Sequence, residues 1–188
     1  MSLPAQASIT DWNCAADGDG AIDCNASWDP NTYELTMTGN QYWSPGHMEG
    51  TFTTDTEEDP NVTLITFVDN DTTFAWTEYL VNVYMSKTFT LSNAQVFAPS
   101  GWTSVLTQPL GTPSTIYDAD GRLWSYLGAV HYYGGTPVPT SGGSLSFSYK
   151  MSFTGSIQFE QEMNPIPEPA TLTLLALGGL ALWRRRRL

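Results

Sequence analysis

The chain has 188 residues and sets 7 Lys and Arg against 19 Asp and Glu, a formal charge of −12. All the acidic residues but only Lys87, Arg122 and Lys150 among the basic ones precede residue 170, so that part alone carries −16. A surface this negative repels phosphate backbones and excludes nucleic acid as a partner, and the length suits one core rather than two. Charged residues are only 14% of the chain, and Thr, Ser, Asn and Gly stand where a helical protein would carry Ala, Leu, Glu and Lys, the mix of short strands joined by turns.

At the start, Ala5-Gln6-Ala7 has the small-x-small form of a signal-peptidase site, so residues 1–7 are expected to be the remnant of a cleavage region. Next, "WNCAADGDGAIDC" reads as an opening hairpin whose Cys14 and Cys24 form one disulfide; closing about ten residues stabilises by roughly 2.5 to 3 kcal/mol on the chain-entropy model. Asp17, Asp19 and Asp23 in that turn offer hard oxygen ligands for calcium. Their spacing departs from an EF-hand loop, because Ala15 stands where its first Asp would be, and a plain turn of good turn formers is preferred. No cofactor is therefore expected, with calcium as the alternative.

Strands are expected at "YELTMT" from Tyr33, "VTLITFV" from Val62, "AWTEYLVNVYM" from Ala75 and "KTFTLSNAQVF" from Lys87. The third is apolar on both faces and belongs in mid-sheet. Turn clusters at Ser44, Asp69, Pro99 and Asp118 separate them. "SLSFSYKMSF" from Ser144 alternates without a fault and, across Gly155-Ser156, pairs as a hairpin with "IQFEQ", where Ile157 and Phe159 point inward and Gln158 and Glu160 outward. Together these predict an all-β, antiparallel, jelly-roll-like β-sandwich over residues 8–163.

Little in the body carries chemistry. His47 and His131 lie in no nucleophile or metal motif, the "DTEED" run at Asp55 reads as a solvated loop tip, and Asp11, Glu34, Glu49 and Glu78 are only nominal carboxylates for glycoside hydrolysis. Aromatic residues at or near turns, Trp43, Trp102, Tyr132 and Tyr133, are candidates for stacking on sugar faces, against a simpler role as core filling. The body is accordingly read as non-catalytic.

Pro165, Pro167 and Pro169 break the pattern, so 164–169 is expected to be an extended linker. Residues 170–183 are all apolar, small or Thr; a helix there spans roughly 21 Å against a hydrocarbon core of about 30 Å, short for a permanent anchor. Arg184, Arg185, Arg186 and Arg187, within 184–188, should stay cytoplasmic, which leaves the acidic body outside.

The order Pro167-Glu168-Pro169-Ala170, Leu/Gly-rich helix, Arg cluster resembles the PEP-CTERM sorting signal, whose family is recognised by the membrane protease exosortase. The resemblance covers the tail only. It implies an exported protein of a Gram-negative-type bacterium, held transiently in the cytoplasmic membrane, cut at the motif, and delivered to the cell surface or matrix. Exosortase and the bilayer are the partners expected, with exopolysaccharide a third. A tag fixes an address rather than an activity, so the role expected of the body is structural or adhesive, with an exopolysaccharide-binding module and a secreted hydrolase as alternatives.

Overall fold

The computed structural model describes residues 7–14, 21–54 and 61–167. They form an all-β protein of 13 strands. In chain order these are β1 (Ala7–Cys14), β2 (Ile22–Asp29), β3 (Glu34–Gln41), β4 (Gly46–Thr54), β5 (Asn61–Asn70), β6 (Trp76–Met85) and β7 (Phe89–Ala98), followed by β8 (Thr103–Thr107), β9 (Ile116–Tyr117), β10 (Leu123–Trp124), β11 (Tyr126–Val138), β12 (Gly143–Phe153) and β13 (Ile157–Pro167). One sheet has the order β1-β4-β13-β6-β11-β8 and the other β2-β3-β5-β12-β7; β9 and β10 make a small separate ribbon. Pairing is antiparallel throughout except between β3 and β5.

The two sheets face each other across one apolar core. Rings from opposite sheets meet at its centre: Tyr132 lies 4.6 Å and Tyr79 5.6 Å from Phe147, and Phe52 lies 5.3 Å from Phe153. As expected, "TEYLVNVYM" is mid-sheet, with β6 between β13 and β11. Polar clamps fix the facing of the layers. Fully buried Gln41 of β3 donates to the Met163 carbonyl of β13 at 3.0 Å and accepts from the Tyr79 hydroxyl of β6 at 2.6 Å. Tyr149 of β12 donates to Gln161 of β13 at 2.6 Å. Burial raises the pKa of both tyrosines, which stay neutral donors.

Two expected hairpins are not hairpins. β12 and β13 lie in different sheets, so Gly155-Ser156 carries the chain from one layer to the other, and β1 and β2 likewise belong to opposite sheets. Alternation tells which face of a strand is buried but not which strand is its neighbour, and a hairpin and a sandwich crossing leave the same signature. β13 also runs on to Pro167, taking in residues 164–167 that the prolines assigned to the linker. Beyond Met163 it pairs with β6 alone, and prolines are tolerated along such an edge.

Candidate functional site

The outer face of the six-stranded sheet gathers titratable groups in two cross-strand rows. Glu49 of β4, Glu160 of β13 and Tyr84 of β6 share one register; His47, Glu162 and Asn82 share the next. Alternation places them there, because Met48, Phe159, Gln161 and Val83 between them face the core. The β9–β10 ribbon then folds over this face as a flap. Its turn closes through Asp118 N–H to the Arg122 carbonyl at 3.1 Å and Gly121 N–H to the Asp118 carbonyl at 3.1 Å.

The flap is held down by charged and polar contacts. Within the flap, Asp118 accepts from the Trp124 indole at 2.6 Å and the Arg122 backbone N–H at 2.7 Å. Glu162 accepts from the Ala119 N–H at 3.2 Å, Asn82 at 3.0 Å, Asn164 at 2.8 Å and the Tyr84 hydroxyl at 3.4 Å. Arg122 pairs with Glu49 and lies 3.7 Å from Glu160. His47 Nδ1 sits 2.9 Å from Asp120 Oδ2 and 3.7 Å from Glu160 Oε1, without hydrogen-bond geometry at either.

Covering this face desolvates it: His47 and Glu160 are each only 2% exposed. Desolvation, then the neighbouring charge of Asp118 and a hydrogen bond with it, push the Glu160 carboxyl up to about 8, against the opposing pull of Arg122. Glu160 therefore carries a proton at neutral pH and can share it with Asp118. Tyr84 is also raised, first by desolvation and then by the charges of Glu162 and Glu160. Chemically the array resembles an acid–base pair, but it lies beneath the flap, and its hydrogen bonds run within the flap, within the sheet and between the two. Among the described residues no group of three or more His, Cys, Asp and Glu is placed to hold a metal ion.

This cluster was legible only in part. The sequence pointed to His47 and Glu49, but it put Glu160 outside in water, whereas the flap buries it. The available signals were the spacing His47-x-Glu49 and Glu160-x-Glu162, which puts each pair on one strand face, and Arg122 as the only arginine before the tail.

Of the aromatic candidates, Trp43 is 65% exposed, as a platform must be, and Tyr133 is half-buried. Tyr132 is wholly buried, its hydroxyl donating to the Ser148 carbonyl at 3.0 Å, and Trp102 is buried with its indole donating to the Thr136 carbonyl at 2.7 Å. Neither can stack on an outside ligand. The Gly134-Gly135 pair behind them is a bulge rather than a tip: Gly135, at φ +69°, passes so close that a Cβ would meet Trp102 N at 2.6 Å. Among the nominal carboxylates, Glu78 lies 2.7 Å from His131 on the neighbouring strand, both well exposed, and Glu34 starts β3 opposite Asp29, so neither joins the cluster. Asp23 lies exposed on β2. Asp17, Asp19, the side chains of Asp11 and Cys14, the residues from Glu168 through Ala170, the expected helix and Arg184 to Arg187 lie outside the described residues.

Residues 165–187 match the PEP-CTERM protein-sorting motif. Such a signal implies an exported surface protein of exosortase-system bacteria with transient membrane anchoring, and signals of this kind are processed by exosortase, a membrane protease. Neither a curated protein nor a solved structure matches the chain.

Proposed function

We propose that the β-sandwich is a non-catalytic structural or adhesive component of the cell surface or matrix. The observation that carries this is the use made of the strongest titratable cluster. Glu160 and Glu162 are buried beneath the flap and Asp118 within its turn; Glu162 ties sheet to flap through the Ala119 N–H, while Asp118 braces the flap itself through Trp124 and Arg122, so these carboxylates are committed to structure. A hydrolase needs its acid and base in reach of a scissile bond.

The same proposal includes the parts of the tail and framework that serve export. Residues 170–183 form a short anchor in the bilayer, Arg184 to Arg187 keep the end cytoplasmic, and cleavage follows at Pro167-Glu168-Pro169-Ala170. Cys14 and Cys24 form the disulfide suited to an oxidising compartment; no cysteine among the described residues is free, and the chain has only these two.

The test is turnover. The protein is incubated with polysaccharides and simple esters, and no product is expected above a heat-inactivated control. Product formation that Glu160→Gln or Glu162→Gln abolishes would make it a hydrolase.

A further inference from the structure

The outer face of the five-stranded sheet holds a second feature, far from the flap in the fold. β2, β3 and β5 lie side by side there, and their outward residues fall into register: Asp23, Asn40 and Asp69 in one row, Asn25, Thr38 and Phe67 in the next. These six side chains line a depression of about 440 Å³. All sit on strands, so the arrangement is fixed before any ligand arrives.

Phe67 is the anomaly. It is 46% exposed in a row with Asn25 and Thr38, while Thr66 and Val68 beside it are buried at 1% and 0%. The ring cannot turn inward without slipping the whole strand by one residue and exposing the core. A flat apolar ring flanked by two carboxylates, two carboxamides and a hydroxyl combines a stacking platform with acceptors and donors on either side.

We propose that this depression binds an uncharged glycan, one sugar face stacked on Phe67 and its hydroxyls shared among Asp23, Asn25, Asn40 and Asp69. The proposal deepens the adhesive reading by giving it a ligand, and it rests on the same surface location. The surroundings select against other occupants. Anionic polymers meet two carboxylates on a body of charge −16. An extended peptide can add only along the edge strand β2, two strands away from Phe67, because β3 pairs with β2 and β5, and β5 with β3 and β12. A lipid surface would need a larger apolar patch than one ring. A metal ion lacks a third ligand of the usual kind among the described residues.

The experiment is a binding titration of the full-length protein in detergent against an array of neutral, amino-bearing and acidic glycans, followed on the best neutral binder. Phe67→Ala and Asn40→Ala are each expected to weaken binding by about tenfold or more, with unchanged melting temperature. Tyr117→Ala, which removes a more exposed ring from the flap on the opposite sheet, should leave it unchanged. No binding to any glycan, binding to acidic glycans only, or binding indifferent to both substitutions overturns the site. Shortening of the bound glycan chain would instead overturn the non-catalytic reading and leave the site standing.

Discussion

Glu160 shows how much of a residue's chemistry is set by what lies above it. On sequence it is an outward glutamate of a half-exposed strand; under the flap it keeps its proton to about pH 8, whereas the unfolded chain releases it near 4.5. The folded state therefore binds more protons than the unfolded one across that interval, so this group's contribution to stability falls as pH rises from 4.5 through 8 and is level outside it. Glu160→Gln, which can still donate to Asp118, should flatten the corresponding part of the pH dependence and be most stabilising, relative to the parent, at pH 8 and above. Melting temperatures of the two proteins from pH 4 to 9 check this; parallel curves would refute it. A second residue-scale expectation concerns Gln41. Gln41→Leu would strand the buried Tyr79 hydroxyl and the Met163 carbonyl together, and chemical denaturation should register a loss of at least about 2 kcal/mol.

At the scale of elements, the flap behaves as a clasp whose attachments all involve ionisable or hydrogen-bonding groups. Rising pH ionises Glu160 beside Asp118 and Glu162, setting like charges against each other at the flap's root, with Arg122 to oppose them. Amide protection of Ala119 and Arg122, whose N–H groups donate to Glu162 and Asp118, should therefore drop between pH 6 and 9 relative to the core strands. Hydrogen exchange corrected for intrinsic rates measures it, and constant protection would contradict the clasp. The strands themselves were readable, because β5, β6, β7 and β12 each carry several alternating or doubly apolar positions that only a sheet satisfies. The flap was not: β9 and β10 are two residues each, too short for any period, and their place is set by Asp118 and Trp124 meeting across the turn and by the carboxylates beneath. The cluster was hidden for the same reason, since its members come from β4, β6, β13 and the flap, up to 115 residues apart between His47 and Glu162.

For the whole molecule, the sequence conveyed the sandwich and its address but not the order of its strands. Eight of the twelve connections between the described strands cross between the two layers, and nothing local in "SFTGSI" distinguishes a crossing from a hairpin. The tail was legible because its information is linear: a proline-flanked glutamate, a greasy stretch and arginines in fixed order need no partner from elsewhere in the chain. The central claim is that the β body works outside the cytoplasm after the tail has been used for sorting and removed. It is tested most directly by fractionating the native cells and taking the intact mass of the protein under non-reducing conditions. The account predicts a surface or matrix species ending near Pro169, lighter than the full chain by the apolar stretch and its arginines, and lighter by two hydrogens for the Cys14–Cys24 bond. A full-length, reduced chain in the cytosol, still ending in Arg184 to Leu188, would contradict it.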